Sequence, residues 1–339
     1  MAIRGAHVDG ETIPKGLVGV EELVLAWTLR GAPHAYRRDD LDAVVVATAP
    51  YDEADAAKRI FDASKPLKDS GIAVLDSLRT IAAAQRSIVT SPMTKGELSS
   101  KLSEMLDPPM LRRCVPCDAT HAYEQPFRLA ALQGGLEIEP ATTPAVVRRI
   151  PGLQASAYRH LAAELERECG DTAARFDVIR NYLRFFGPAT HQEASAFIDI
   201  PVAVVKRCWP ADAVQVGEKR FLLADDVDRL GEGPSGEQAL RLLGPFDPYL
   251  QGRDREGLVA DADRRKELWR ILGRPGAIVV DGAVLGTWRP KASGKKLTVV
   301  VDQWKRPTKA IRDQIEEQAL RLAALRGVEL AGISDAAKS

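Results

Sequence analysis

The stretch that decides the fold reads FDVIRNYLRFFGPATHQEASAFIDIPVAVVKRCWPADAVQVGEKRFLL and covers residues 176–223. Residues 176–186 repeat apolar side chains at helical spacing, and Gly187 follows them as a common helix-ending residue. Thr190 stands three residues before Glu193, which is the spacing of a capping box at the start of a helix. Two helices separated by a short turn are therefore predicted.

A third helix and a hairpin complete this stretch. Pro201 suits the first position of the third helix, whose Val202, Val205 and Trp209 are predicted to face inward. Residues 214–223 then form a hairpin around a Gly-Glu-Lys-Arg turn. This order of elements is typical of a winged helix-turn-helix, in which the third helix enters the major groove of DNA. The stretch therefore predicts DNA binding.

The same arrangement selects side chains for DNA contact, because polar and basic groups on the second and third helices and on the wing face the duplex. The candidates are Thr190, Gln192, Lys206 and Arg207 on the helices and Lys219 and Arg220 on the hairpin. A winged helix can also serve as a protein-contact module, as in a scaffold or transcriptional regulator. These charges would then be ordinary solvated groups, and this alternative stays open.

Composition limits the class of protein. The chain has 339 residues with 47 basic and 47 acidic side chains, so its net charge is zero. Zero net charge disfavours a protein that coats DNA, although phosphate contact needs only a local positive field. No apolar run approaches the about 18 residues that span a bilayer, and the N-terminus has no apolar signal core. We expect no membrane partner and a cytoplasmic, nucleoid-associated location.

The four cysteines predict neither a disulfide framework nor a metal site. Cys114 and Cys117 stand near His121, but structural zinc takes four ligands, usually from two paired clusters. Cys169 and Cys208 are single and far apart in the sequence. The chain also lacks the glycine-rich and histidine motifs of common cofactor and catalytic sites. We therefore expect no metal and no cofactor, and read the Cys-x-x-Cys segment as a turn before a helix.

The remaining chain predicts a mixed α+β protein. We expect tandem winged helix-turn-helix subdomains, a small C-terminal antiparallel β domain and a closing helix. The proposed boundaries are an incomplete first winged-helix subdomain at 1–89, a second winged-helix-like subdomain at 90–170, the winged helix-turn-helix at 171–235, a β-rich domain at 236–330 and a tail at 331–339. Helices are predicted at 21–29, 41–47, 52–61, 72–87, 97–106, 127–132, 264–271 and 307–326. Thr94 or Ser91 can cap the helix at 97–106, and Glu97 follows Thr94 at capping-box spacing. Extended segments are predicted at 34–36, 136–139, 277–280, 284–288 and 297–301.

A second group of basic residues lies on and near the predicted hairpin tip in the C-terminal part. Its members are Arg289, Lys291, Lys295, Lys296 and Lys305. They predict either contact with the DNA backbone, with salt-dependent affinity, or simply a soluble hairpin tip.

Four motifs in order resemble one bacterial family. They are Trp-Thr-Leu-Arg-Gly-Ala-Pro-His at 27–34, Gly-Pro-Ala-Thr at 187–190, Phe-Asp-Pro-Tyr-Leu-Gln-Gly-Arg-Asp at 246–254 and Gly-Ala-Val-Leu-Gly-Thr-Trp-Arg at 282–289. Together they resemble the winged-helix DNA-binding family that includes the AlkZ-like (YcaQ-like) DNA glycosylases, over about residues 23–326. The resemblance implies tandem winged helices closed by a small β domain, with a concave surface for duplex or damaged DNA. Characterised members excise alkylated bases and unhook interstrand crosslinks.

The resemblance also implies positions on the DNA surface. They are Arg30 and His34 in the first motif, and Asp247, Tyr249, Arg253 and Asp254 in the third. For His34 and Asp247, the alternative is a structural hydrogen bond inside a turn.

The chain departs from the family at the catalytic motif. AlkZ-like glycosylases carry Gln-x-Gln or Gln-x-Asp upstream of the position matched by Trp27, but no glutamine here has either spacing. The nearest imitation, Gln314-Ile-Glu316, lies in the last predicted helix. Either the chain starts late or this member is not a glycosylase. No catalytic residue is assigned, and DNA binding without excision, an active glycosylase and a scaffold or regulator all remain candidate functions.

Overall fold

A computed structural model describes residues 22–116, 118–140, 142–152, 169–170, 175–232, 240–252 and 254–336. Its contacts divide the described chain into two compact units, which meet in sequence between Val227 and Asp228. Both units combine helices with small sheets, so the predicted α+β class is confirmed. None of the helices in the described ranges is both long and apolar enough to cross a membrane.

The first unit holds four small sheets among its helices, with strand orders β1-β2, β3-β7-β6, β4-β5 and β8-β9. Its earlier elements are β1 (Leu23–Trp27), β2 (Pro33–Arg37), α1 (Leu41–Thr48), α2 (Glu53–Arg59), α3 (Ser64–Asp69), α4 (Val74–Ile88), β3 (Met93–Thr94), α5 (Lys95–Ser103), β4 (Leu111–Cys114), β5 (Ala119–Ala122), α6 (Glu124–Gln133), β6 (Leu136–Ile138) and β7 (Val146–Arg149). The later elements are α7 (Val178–Phe186), α8 (His191–Ile198), α9 (Val202–Arg207), β8 (Ala213–Gly217), β9 (Arg220–Leu223) and α10 (Ala224–Val227).

The helix predicted at 21–29 is wrong, because this segment forms strand β1. Val24 and Ala26 are buried with Tyr36 of β2 and Leu132 of α6 in one core. A short apolar run fits a buried strand as well as a buried helix, and here pairing with β2 decides the outcome. Val115, Pro116 and Asp118 lie in a turn, as predicted for the Cys-x-x-Cys segment. The strands on either side of this turn, β4 and β5, which were not predicted, pair antiparallel before α6.

Two helices of the first unit begin with a capping box at the positions where the Thr-x-x-Glu spacing predicts one. Thr94 with Glu97 and Thr190 with Glu193 both form capping boxes, at the starts of α5 and α8. In each box the threonine side chain accepts from the glutamate backbone N–H, and the glutamate side chain accepts from the threonine backbone N–H. The two boxes mark the starts of these helices, but α5 spans Lys95–Ser103 and not 97–106 as predicted.

The predicted helices and hairpin at 176–223 enclose a single core. Ile179, Leu183, Ile198 and Val205 are buried in it. Val204 is buried beside Val205, whereas Val202, which was expected inside, is only half-buried. Pro201 is the N-cap of α9 and not its first helical residue. Tyr51 belongs to this core, although it lies about 130 residues earlier in the chain.

A buried ion pair in α2 holds this part of the unit together. The Asp55 carboxylate accepts from Arg59 Nε at 2.9 Å and Nη2 at 2.6 Å. Asp55 also accepts from the backbone N–H of Tyr51, and Arg59 donates to the carbonyl of Thr48. Both side chains are almost wholly buried. The pair thus orients the short segment that carries Tyr51 into the later core.

The second unit is built on one five-stranded sheet of order β10-β11-β12-β13-β14. Its elements are β10 (Leu240–Leu243), α11 (Arg255–Leu258), α12 (Ala262–Leu268), β11 (Gly276–Val280), β12 (Ala283–Ser293), β13 (Lys296–Gln303), α13 (Lys309–Arg326) and β14 (Glu329–Asp335). Asp281 and Gly282 make the β11–β12 turn, both with positive φ, as the Asp-Gly signal predicted.

Two expectations for the C-terminal part are wrong. The sheet is not entirely antiparallel, because β14 pairs parallel with β13. The tail proposed at 331–339 is not a tail over residues 331–335, since these lie in β14. Helix α13 crosses from one strand to the next, and such a crossover makes two neighbouring strands parallel.

The cysteine expectation is also corrected. Cys169 and Cys208 form a disulfide with their Cα atoms 4.9 Å apart, a separation that such a bond requires. Cys208 is the C-cap of α9. The pairing was not foreseen because single cysteines far apart in sequence carry no signal of spatial proximity.

Replacing Asp55 by Ala is predicted to lower the free energy of unfolding by about 3–5 kcal/mol, because it leaves the buried Arg59 charge uncompensated. Urea denaturation followed by circular dichroism measures the change. The matched control is Asp69→Ala, which removes another i,i+4 ion pair whose Lys65 and Asp69 side chains are 80% and 60% exposed. The control should shift the midpoint little, and equal shifts for both variants would contradict the prediction.

Candidate nucleic-acid interface

The last turn of α9 carries two of the predicted DNA-contacting cations. Lys206 and Arg207 are both exposed. Arg207 Nη2 lies 2.9 Å from the Asp52 carboxylate. Burial opposes a lower pKa for Asp52, but the hydrogen bond from the Asp55 backbone N–H, and after it the pairing with Arg207, hold that pKa below its ordinary value. No ion pair involves Lys206 among the described residues. Of the two cations, Lys206 therefore presents the less compensated charge.

The hairpin β8–β9 carries the other two predicted cations. Lys219 is exposed at the turn, where its φ is +57°. The Arg220 guanidinium donates to both oxygens of Glu193 at 3.2 Å and to the carbonyl of Pro188 at 2.8 Å. Glu193 thus compensates much of the charge of Arg220, whereas Lys219 is exposed to solvent.

The two polar candidates at the start of α8 differ in whether the side chain is already engaged in a structural hydrogen bond. Thr190 uses its side chain as the N-cap of the helix, accepting from the Glu193 backbone N–H at 3.1 Å. Gln192 is exposed on the first turn. Gln192 is therefore available to a ligand, while Thr190 has a structural role.

An aromatic cluster beside α9 was not foreseen from the sequence. The His191 ring lies 4.3 Å from the Trp209 ring and 5.1 Å from the Phe221 ring, measured between centroids. Burial, and after it the positive charge of Lys206, holds the pKa of His191 below its ordinary value of 6.5. His191 is accordingly neutral at physiological pH. Only the tertiary fold brings these three rings together, since they come from α8, the segment after α9, and β9.

Arg30 lies in the turn between β1 and β2, and His34 lies at the start of β2. Arg30 is exposed with φ of +61°, a left-handed conformation. His34 Nδ1 lies 2.9 Å from both the Thr28 hydroxyl and the Ala32 carbonyl. The hydroxyls of Thr28 and Tyr36 lie 2.7 Å apart, and burial raises the pKa of Tyr36 to about 12. The ring of His34 thus makes local hydrogen bonds from strand β2 to the turn that precedes it.

The third motif likewise serves the fold of the second unit. Asp247 accepts from the backbone N–H of Tyr249, and Asp254 accepts from that of Gly257, so both carboxylates cap helical turns. The Tyr249 hydroxyl donates to the carbonyl of Gly282 at 2.6 Å. Arg253 lies outside the described residues. The structural alternative for Asp247 is therefore observed.

The β12–β13 hairpin holds the remaining candidates. Lys295 and Lys296 are exposed at its tip, as is Lys291 on β12. Arg289 is half-buried and donates to the carbonyl of Gly273 at 2.5 Å. The tip is thus a basic point on the surface, while Arg289 ties β12 to the loop that follows α12.

The described residues show no group of three or more His, Cys, Asp or Glu side chains placed to hold a metal ion. Cys114 lies on β4 with its thiol outside any disulfide, and Cys117 lies outside the described residues. Cys169 and Cys208 are joined to each other, so neither is a thiolate ligand.

Comparison with known proteins gives the family. A family model described as DNA glycosylase AlkZ-like matches residues 4–325. The chain belongs to the AlkZ-like DNA glycosylase family. The resemblance predicted from the four motifs is confirmed.

One solved structure shares the AlkZ-like fold. It is the Streptomyces sahachiroi DNA glycosylase AlkZ, at a TM-score of 0.62 and 19% identity, covering 95% of this chain and 84% of that chain. At this identity the likeness establishes the fold alone. No curated protein matches the sequence.

In this AlkZ-like chain, Gly286 and Trp288 of the fourth motif, together with Gly276 outside it, occupy closely packed positions. A Cβ added to Gly286 would lie 2.3 Å from the Asp302 carbonyl oxygen, and one added to Gly276 would lie 2.3 Å from Trp288 Nε1. Trp288 Nε1 in turn donates to the Leu243 carbonyl at 2.8 Å. Close approach between backbones therefore explains these glycines and the tryptophan.

In this AlkZ-like chain, we predict that His191 titrates below pH 6.5 and that Lys206→Gln raises its pKa, because the substitution removes a nearby positive charge. The depressed pKa also has a consequence for stability. The contribution of His191 to the free energy of unfolding is complete above pH 6.5 and is lost as the pH falls through the folded-state pKa.

Two-dimensional NMR of the histidine ring protons as a function of pH measures the pKa of His191. Lys219→Gln is the control, since Lys219 is not among the groups that shift His191. A wild-type pKa at or above 6.5, or an unchanged value in Lys206→Gln, would show the account to be wrong.

Proposed function

We propose that this chain binds duplex DNA, including damaged duplex, through two tandem winged helices in its first unit. Membership of a DNA glycosylase family supports DNA as the partner. Such a role implies a location with chromosomal DNA. Two further features support the proposal, namely the element order of a DNA-binding module and the placement of its surface charge.

The first proposed winged helix spans residues 74–149. Its order is helix, strand, helix, helix, strand, strand, supplied by α4, β3, α5, α6, β6 and β7. The three strands pair in the order β3-β7-β6, so the last strand lies between the other two as in winged helices. The β4–β5 hairpin is an insertion between its second and third helices. The boundary predicted at residue 90 accordingly moves back to include α4.

The second proposed winged helix spans residues 176–223 and repeats this order. Helices α7, α8 and α9 are followed by strands β8 and β9. Ala189 forms an isolated antiparallel bridge with Phe221 of β9, so it takes the place of the short first strand. Within this arrangement α9 is the recognition helix, and β8–β9 is the wing.

The placement of charge supports α9 as the DNA-reading element. Residues 176–223 carry six basic and five acidic side chains. DNA binding by this module must therefore depend on where the basic side chains lie and not on net charge. Arg207 and Arg220 are paired with carboxylates, whereas Lys206 and Lys219 are exposed on the helix and the wing. The observation that carries the proposal is this exposed lysine pair on the two elements that contact DNA in a winged helix.

The proposed contact set is therefore narrower than the set predicted from the sequence. Lys206, Lys219 and Gln192 are its centre. Arg207 and Arg220 contribute less, since contact with phosphate would require them to exchange one acidic partner for another. The basic tip at Lys295 and Lys296 is a proposed backbone contact of the second unit. Arg30 is exposed and stays a proposed contact.

A salt titration tests DNA binding. We expect the wild-type chain to bind a fluorescent duplex with a log Kd that rises linearly with log salt. Lys206→Gln should weaken binding several-fold and reduce the slope by about one, because one phosphate contact is lost. Arg220→Gln is the comparison within the same module and should have the smaller effect. Absence of duplex binding at low salt, or a slope of zero, would sink the proposal.

A second candidate function is base excision, and the family match over residues 4–325 favours it. Binding without excision is nevertheless the result we expect from this 339-residue chain, because no glutamine in it has the family's catalytic spacing. Incubation with alkylated and with crosslinked duplex, followed by alkaline cleavage of abasic sites, decides between the two. Strand breaks above a no-protein control would establish excision in place of binding alone.

A further inference from the structure

A short loop in the second unit exposes two large aliphatic side chains. It joins α12 to β11 and reads Arg-Ile-Leu-Gly-Arg-Pro over residues 270–275, here named the apolar loop. Ile271 is 92% exposed and Leu272 is 81% exposed. Scattered apolar residues are normal at a protein surface, but an adjacent pair this exposed at a loop tip is unusual and gains nothing from the fold.

Hydrogen bonds fix the backbone of the apolar loop. Arg270 Nε donates to the Leu272 carbonyl at 2.8 Å, and Arg274 Nε donates to the Arg270 carbonyl at 3.3 Å. Arg289 Nη1, from β12, donates to the Gly273 carbonyl at 2.5 Å. Three consecutive bonds of this kind hold the loop in one conformation. The exposure of Ile271 and Leu272 is thus a property of a braced loop.

Arginines surround this apolar tip. Arg274 stacks at 5.3 Å over the Phe246 ring, and Arg255 stacks at 5.2 Å over the Trp269 ring. Burial, followed by the charge of Arg255, lowers the pKa of Arg274 below its ordinary value. Mutual repulsion among these guanidinium groups means that positive charge is concentrated here, and an anionic ligand would relieve it.

The same repulsion acts on the other side of the loop. Burial, and then the charge of Arg270, lowers the pKa of Arg289, which Glu267 only partly offsets. From Asp228 onward, the described residues of the second unit hold 18 basic and 15 acidic side chains. The positive charge around the apolar loop therefore has the same sign as the net charge of these residues of the second unit.

We propose that the apolar loop is a wedge that inserts Ile271 and Leu272 between base steps of duplex DNA, while the surrounding arginines contact phosphates. The proposal rests on the proposed function and deepens it. Proteins that kink DNA use aliphatic side chains in this way and offset the cost of unstacking with further contacts. A braced loop suits this task because it can enter the stack without first losing conformational entropy.

Charge favours DNA over other occupants of the apolar loop. A second copy docking by this same face would bring the same arginines together and be repelled. An anionic membrane would share the charge complementarity, but two aliphatic side chains are a small apolar surface for insertion beside the broad apolar face of an interfacial helix. A base step, in contrast, accepts one or two aliphatic side chains when it is partly unstacked and kinked.

Fluorescence of a base analogue tests the wedge. The probe is a duplex with 2-aminopurine at a flexible pyrimidine–purine step, whose emission rises when the base unstacks. We expect the wild-type chain to raise this emission. The double variant Ile271→Ser/Leu272→Ser should bind about tenfold more weakly, lose the rise, and keep the salt slope, since no charge changes.

Two further variants complete the experiment. Leu320→Ser/Leu325→Ser is the matched control, because these side chains of α13 are exposed at 54% and 62%; emission and affinity should stay at wild-type values. Arg270→Gln should lower the salt slope by about one.

The outcomes separate the wedge from the proposed function. If the wild-type chain binds duplex with a salt slope but leaves the emission unchanged, or if the serine pair behaves as wild type, the wedge is wrong and DNA binding stands. If no duplex binds at all, the proposed function fails and takes the wedge with it. If the serine pair abolishes self-association in sedimentation, or binding to phosphatidylglycerol vesicles, and leaves duplex unstacking intact, the loop serves that other partner and the wedge is overturned.

Discussion

The ion pair between Asp55 and Arg59 is the interaction on which the first unit depends. It is buried, and it orients the turn that sends Tyr51 into the core of residues 176–223. The same helix, α2, donates from Lys58 to the Ile200 carbonyl at 2.6 Å. Because Ile200 precedes α9, the position of the proposed recognition helix follows from α2. A buried pair that loses one partner is costly, so this arrangement leaves little freedom at the junction.

Intramolecular pairing then determines which cations remain for DNA. Asp52, the N-cap of α2, holds Arg207, and Glu193 of the capping box holds Arg220. Both acids also have roles in starting helices. Arg207 and Arg220 are therefore held in ion pairs within the fold, and exposed lysines remain at the proposed interface. A neutral net charge is compatible with DNA binding for this reason.

The motifs that mark the family are concerned mainly with packing in this structure. Gly286 lies where two strands approach closely, Trp288 donates to the Leu243 carbonyl, and Asp247 caps a helical turn. The apolar loop lies beside these motifs, yet it is marked by none of them. The sequence predicted a helix over 264–271, which would include Arg270 and Ile271, whereas the helix ends at Leu268.

The sequence by itself determined the α+β class, both capping boxes, the helices and hairpin at 176–223 and the Asp-Gly turn, because these depend on interactions between residues close in the chain. The family also followed from motifs in order. Tertiary structure decided the rest. Pairing with β2 made residues 23–27 a strand, a crossover made β14 parallel to β13, and a disulfide joined Cys169 to Cys208. Ion pairs, the aromatic cluster of His191 and the arginines around Ile271 likewise join residues distant in sequence, and no local pattern encodes such contacts.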